Sequence, residues 1–111
     1  MKKGRDAILI TGATGQQGGA TARALLAAGH KVVAMTRNPS SPKAKELAAL
    51  GAELVQADLD DEVSLRSALE GKWGVFAVQN TWEASVEGEE EQGKRLARLA
   101  KEAGVQHFVY A

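Results

Sequence analysis

The N-terminal segment of this chain is an apolar run that breaks into evenly spaced glycines, and it constrains the fold more than any other feature. Residues Ile8–Ile10 are followed by Gly12, Gly15 and Gly18. A short apolar run bounded by glycine is typical of a buried strand. A turn without side chains lets backbone N–H groups approach a phosphate at the positive end of a helix dipole. The segment therefore predicts a strand, a pyrophosphate-binding turn and a helix.

Composition narrows the class of protein. A chain of 111 residues has the size of one domain, and its 14 basic and 14 acidic residues create no net field to attract nucleic acid or an anionic membrane. The chain has no cysteine, which excludes disulfides and favours a reducing compartment, so we expect the cytoplasm. No run of about 18 apolar residues predicts a membrane span.

Short apolar runs alternate along the chain with longer amphipathic ones. The predicted strands lie at about residues 7–11, 31–36, 53–56, 74–79 and 106–110. The predicted helices lie at about residues 17–28, 42–50, 62–69 and 87–103. A glycine follows each helix, as a left-handed C-terminal position favours: Gly29, Gly51, Gly71 and Gly104. Ser41 before Pro42 is typical of an N-cap, and Asp60 or Asp61 is expected to cap the third helix.

This alternation predicts the fold class. Strands rich in valine, isoleucine and leucine between helices indicate a parallel sheet covered on both faces. Right-handed crossovers favour an α/β, Rossmann-type doubly wound sheet of five strands in the order 3-2-1-4-5, with four helices in three αβα layers. We expect residues 1–111 to form this one domain. A ligand crevice should lie at the carboxyl ends of the first and fourth strands, where the winding direction reverses.

Each glycine of the turn has an expected role in binding. Gly12 permits a sharp exit from the strand, Gly15 lets the backbone reach a pyrophosphate, and Gly18 lets the helix pack tightly on the sheet. The first gap is one residue wider than in the common dinucleotide fingerprint. The side chains that can add hydrogen bonds to phosphate are those of Thr11, Thr14, Gln16 and Gln17. The alternative is a tight strand–helix turn with incidental glycines.

The end of the second strand is expected to select the cofactor. An NAD site usually holds Asp or Glu here, because the carboxylate accepts hydrogen bonds from the ribose 2′-hydroxyl. Residues 37–41 contain no carboxylate; Arg37 offers a planar cation suited to phosphate, and Asn38, Ser40 and Ser41 can add neutral donors. The sequence therefore predicts NADP(H) rather than NAD(H). A solvated arginine ahead of a turn is the alternative.

Polar residues also follow the third and fourth strands. Asp58 is placed to accept from an adenine amino group, with the Leu59 backbone beside the ring. A local turn or helix cap is the alternative for Asp58. Gln79, Asn80 and Thr81 are expected to border the ribose or the nicotinamide. These residues complete the predicted cofactor site.

With these residues in place, the chain resembles the N-terminal part of NmrA-like proteins, an atypical branch of the short-chain dehydrogenase/reductase superfamily. The matching segments are TGATGQQGG at residues 11–19, TRNP at 36–39, GAELVQAD at 51–58 and EQGK at 91–94. The resemblance implies a Rossmann domain that binds NAD(P)(H) through the residues named above. It implies either a redox-sensing regulator with little turnover or the cofactor half of an NADP-dependent, quinone-type reductase.

Little else in the sequence indicates chemistry. The Tyr-x-x-x-Lys pair of catalytic relatives has no match, since only Ala111 follows Tyr110, so no catalytic residue is assigned and the domain is expected to be truncated after the fifth strand. An apolar edge strand there predicts self-association. His30 and His107 lack the clustered ligands of a zinc site, so no metal is expected. A structural or interaction domain with a vestigial turn is the third class of function.

Overall fold

The sheet is the frame that positions every candidate residue. The computed structural model describes residues 7–13, 16–58, 60–77 and 86–110. The strands are β1 (Ile8–Ile10), β2 (Val32–Thr36), β3 (Glu53–Gln56), β4 (Gly74–Ala77) and β5 (His107–Tyr110). The helices are α1 (Gln16–Ala27), α2 (Pro42–Ala49), α3 (Glu62–Leu69) and α4 (Val86–Glu102). Every predicted element is present, and the bounds differ by one residue at most, except at the end of β4, where the described residues stop.

The strands form one sheet in the order β3-β2-β1-β4-β5, and each neighbouring pair is parallel. The prediction of a doubly wound, Rossmann-type sheet is therefore confirmed. The winding reverses between β1 and β4, whose carboxyl ends lie side by side. A ligand crevice is expected at that reversal in open α/β sheets. β5 forms one edge, with Val109 48% exposed; pairing of this edge with a second copy stays a prediction.

Alternate residues of the central strands are buried on opposite faces of the sheet. Leu9 of β1 packs in one cluster with Leu65 of α3 and Leu96 of α4. Ile10, the next residue, packs in a second cluster with Leu47 of α2 and with residues of α1. Because side chains alternate along a strand, both faces of β1 need apolar cover, and the two helix pairs supply it. The predicted three-layer arrangement is confirmed.

Side-chain caps define where two helices begin. Ser41 Oγ accepts a hydrogen bond from Ala44 N at the start of α2, and Pro42 occupies the first turn. The carboxylate of Asp61 accepts from Val63 N and Ser64 N at the start of α3. Of the two aspartates predicted as caps, Asp61 is therefore the N-cap. The glycines after the helices have positive φ, as predicted: Gly29, Gly51, Gly71 and Gly104.

A ring of four charged side chains joins α3 to α4 on the surface. Arg66 lies 3.0 Å from Glu62 and 3.0 Å from Glu102, while Arg98 lies 3.1 Å from Glu62 and 3.5 Å from Glu102. Hydrogen bonds from Arg66 and Arg98 lower the pKa of Glu62, and the bond with Glu62 raises the pKa of Arg66. Next to this ring, Arg95 lies 3.5 Å from Asp60, and Asp60 does not cap α3. The ring links the exposed surfaces of the two helices that cover one face of the sheet.

Candidate functional site

The glycine turn follows β1 at the carboxyl ends of the strands, at the point where the winding of the sheet reverses. Gly12 has a φ of 62°, which glycine adopts without the steric cost that a side chain would carry. Thr11 and Ala13 on either side are fully buried, whereas Gly12 is exposed. Thr11 N donates to Phe76 O at 3.2 Å, so the turn rests against the end of β4. The expected role of Gly12 in a sharp exit from the strand matches this geometry.

Gly18 brings α1 into direct contact with the turn. A Cβ built at Gly18 would lie 2.1 Å from Gly12 O and 3.1 Å from Ala13 Cα. Both neighbours are backbone atoms, so no flexible side chain can move aside. The helix therefore approaches the turn as closely as glycine allows, and the close contact at Gly18 is with the turn rather than with a strand of the sheet. The backbone of Gln16 begins α1, and Gln17 is exposed in its first turn.

The carboxyl end of β2 lies at the same end of the sheet as the glycine turn. Ile10 of β1 is level with Ala34 of β2, so Thr36 stands two residues further along, beside the turn at Gly12. Arg37 and Asn38 follow and are exposed. The predicted phosphate-binding residues and the glycine turn thus lie at the same end of the sheet, at the carboxyl ends of the strands.

The turn after β2 uses its own side-chain acceptors to hold its shape. Asn38 Oδ1 accepts from Ser40 N at 3.1 Å, and Ser41 Oγ accepts from Ala44 N at 3.2 Å. Within the described part of the chain, the side-chain Nδ2 of Asn38 and the hydroxyl groups of Ser40 and Ser41 donate to no partner. What this turn offers to a ligand is therefore a set of hydrogen-bond donors beside the Arg37 cation. Donors and a cation suit a phosphate, which only accepts hydrogen bonds, better than they suit a sugar hydroxyl, which also donates.

Two further residues hold the peptide group between Arg37 and Asn38. Its N–H donates to Thr36 Oγ1 at 3.1 Å, and its C=O accepts from Gln56 Nε2 at 3.3 Å. Thr36 is 8% exposed and ends β2, while Gln56 ends the neighbouring strand β3. Neither residue had an expected role from the sequence. In both cases the sequence shows a polar residue at the end of an apolar strand, and this pattern could have indicated a role.

Asp58 forms a local turn after β3. Its Oδ1 accepts from Asp60 N at 2.9 Å, and its own N–H donates to Ser64 Oγ at 3.2 Å. This is the structural alternative that the sequence left open. A carboxylate has two acceptor oxygens, so the turn leaves capacity for an adenine amino group. Contact with adenine stays a prediction.

Part of the predicted site lies outside the described residues. These residues are Thr14, Gly15, Leu59, Gln79, Asn80 and Thr81. Within the described ranges, no group of three or more His, Asp or Glu residues is arranged to hold a metal ion. None of the helices described is both long and apolar enough to cross a membrane.

Comparison with known proteins decides the family. The model of the NmrA-like family matches residues 4–111, nearly the whole chain. The chain belongs to the NmrA-like family. A curated relative, the NmrA-like family domain-containing oxidoreductase hkm9 of Aspergillus hancockii, is 47% identical over 109 residues, which cover 94% of this chain and 32% of the relative. The chain spans about a third of the length of the curated relatives it matches.

Solved structures of similar proteins contain dinucleotides. NmrA, described as a negative transcriptional regulator, is 30% identical in its NADP complex, with a TM-score of 0.82 over 95% of this chain and 32% of that one. Its NAD complex matches equally well. The NADPH-dependent quinone oxidoreductase QOR2 of Escherichia coli, complexed with NADPH, is 37% identical, with a TM-score of 0.77 over 93% of this chain and 35% of that one. The fold of these family members agrees with the sheet order found here.

Proposed function

We propose that this chain is an NADP(H)-binding module of the NmrA-like family. The pyrophosphate binds the backbone of the glycine turn at the start of α1, and the 2′-phosphate binds the turn after β2. The residues proposed to contact the cofactor are Gly12, Thr14, Gly15, Gln16, Gln17, Arg37, Asn38, Ser40, Ser41, Asp58, Leu59, Gln79, Asn80 and Thr81. The likeness to structures that hold NAD, NADP or NADPH supports a nicotinamide dinucleotide.

The observation that carries the preference for NADP(H) is the chemistry of the turn after β2. Its side-chain oxygens at Asn38 and Ser41 already accept bonds from the turn and from α2. Residues 36–41 include no carboxylate that could accept from a ribose 2′-hydroxyl. Arg37 supplies a permanent positive charge at the same place. This set of groups suits a 2′-phosphate better than a 2′-hydroxyl.

Substitution of Arg37 tests this assignment. A charge-assisted hydrogen bond contributes roughly 1.5–3 kcal/mol, so Arg37→Glu is expected to weaken NADPH binding by about ten- to a hundred-fold or more. NADH binding should change much less, as measured by titration calorimetry of both cofactors. Lys101→Glu, near the end of α4, makes the same change in net charge on an exposed residue far from the site and serves as the matched control. Equal losses for NADPH and NADH would refute the assignment.

The curated relatives favour a second candidate by their names. Several are called NmrA-like family domain-containing oxidoreductases, and QOR2 is a quinone oxidoreductase. The chain would then be the cofactor half of a reductase rather than a redox-sensing regulator. NADPH oxidation in the presence of a quinone separates the two, because a binding module should show no turnover. A chain that binds neither dinucleotide would instead be a structural or interaction domain.

A further inference from the structure

The peptide group between Arg37 and Asn38 is held on both sides by side chains. Its N–H is bonded to Thr36 Oγ1, and its C=O to Gln56 Nε2. The regular ladder between β2 and β3 reaches only to this point: Thr36 is level with Gln56, and Ala57 N donates to Thr36 O at 3.1 Å. Gln56 therefore adds one more link between the strands after the backbone ladder has ended.

This link fixes the direction in which the side chains of two proposed phosphate-binding residues leave the backbone. A peptide group is planar, so holding its N–H and its C=O fixes the plane and the Cα atoms at both ends. Those Cα atoms belong to Arg37 and Asn38. Without the Gln56 amide, the exposed turn would lose the hydrogen bond to the Arg37 carbonyl, and the peptide group would gain rotational freedom. Preorganised donors bind an anion more tightly, because less conformational entropy is lost on binding.

We propose that Gln56 is a positioning residue for the 2′-phosphate site. It does not touch the cofactor; its amide holds the Arg37–Asn38 peptide so that the guanidinium of Arg37 is presented to the phosphate. The role requires a donor, because the partner is a carbonyl oxygen. A carboxylate at this position would oppose both that oxygen and the phosphate. This inference rests on the proposed function, and it adds a determinant of cofactor preference on the neighbouring strand.

The test removes the donor while keeping the length of the side chain. Gln56→Met should weaken NADPH binding roughly two- to ten-fold, the effect of one ordinary hydrogen bond, and should leave NADH binding unchanged within about two-fold. Gln56→Glu should weaken NADPH further. Gln106 is an exposed glutamine just before β5, so Gln106→Met is the matched control. It should change the affinity for neither cofactor. Circular dichroism and urea unfolding confirm that each variant is folded.

A double-variant cycle tests whether Gln56 acts through Arg37. In an Arg37→Ala background, Gln56→Met should have little further effect on NADPH binding. A merely structural role would lower NADPH and NADH affinity together, or would persist undiminished without Arg37, and either result would overturn the proposal. If NADPH preference is present in the wild type and intact in Gln56→Met, this inference alone fails. If the wild type shows no preference for NADPH, the proposed function fails first.

Discussion

The close contact between α1 and the glycine turn makes Gly18→Ala a demanding test of the site geometry. The added Cβ would lie 2.1 Å from Gly12 O and 2.8 Å from Gly12 C. An ordinary contact begins at 3.4 Å, so the turn or the first turn of α1 must shift by about 1 Å or more. The atoms that must shift are those that present backbone N–H groups to the proposed pyrophosphate. Stability and cofactor binding should therefore fall together.

The size of the effect follows from two opposing terms. Overpacking of a tight site costs typically 1–3 kcal/mol, and contact with backbone belongs at the upper end of that range. Alanine is better than glycine in a helix by roughly 0.5–1 kcal/mol, which offsets part of the cost. We expect a net loss of about 2 kcal/mol in the free energy of unfolding. For a domain near this size, that loss lowers the melting temperature by roughly 5–10 °C.

Gly19→Ala is the matched control for this variant. Its Cβ would lie 3.3 Å from Ala13 O and 3.8 Å from a guanidinium nitrogen of Arg23, so a shift of a few tenths of an ångström accommodates it. Thermal and urea unfolding, with calorimetric titration of NADPH, should show a large loss of stability and affinity for Gly18→Ala and little change for Gly19→Ala. If Gly18→Ala matched Gly19→Ala in stability and in affinity, the account of the turn would be wrong.

Two further predictions concern the α3 region. Asp61→Ala removes the acceptor of Val63 N and Ser64 N, and should lower the free energy of unfolding by about 0.5–2 kcal/mol in urea, whereas Asp61→Asn should nearly preserve it; equal stability of the two variants would contradict the cap. The pKa of Glu62 is lowered from 4.5 by its arginine partners, so its ion pairs stabilise the fold above about pH 4.5 and this contribution is lost as pH falls through the lowered pKa. Glu62→Gln should therefore be less stable than the wild type at pH 7, with the difference shrinking as the pH falls below 4.5 and through the lowered pKa; a difference independent of pH would contradict this.

Much of the fold could be predicted from the sequence because its signals are local. The apolar run at Ile8–Ile10, the Ser41–Pro42 cap and the glycines after the helices each act within a few residues of their position in the chain. Strand–helix alternation and the right-handed crossover rule then leave few strand orders. The order 3-2-1-4-5 follows from these features without knowledge of any long-range contact.

The contacts that shape the site could not be predicted in this way. Gln56 bonds to the carbonyl of Arg37, nineteen residues earlier, and the bond depends on the register between β2 and β3. Asp60 was expected as a cap, but it lies against Arg95 on a helix that is distant in sequence. Asn38 and Ser41 were predicted as donors, and their oxygens prove to be engaged in the turn itself. Each outcome depends on tertiary geometry that residue spacing does not encode.

The proposed binding of NADP(H) is tested most directly by the melting temperature of the wild-type chain with each dinucleotide. A ligand at about 100 times its Kd stabilises the folded state by about 2.7 kcal/mol. NADPH at saturation should raise the melting temperature clearly. NADH at the same concentration should raise it less, by the equivalent of about 1.4 kcal/mol or more for a ten-fold difference in affinity. No shift with either cofactor, or equal shifts with both, would contradict the account.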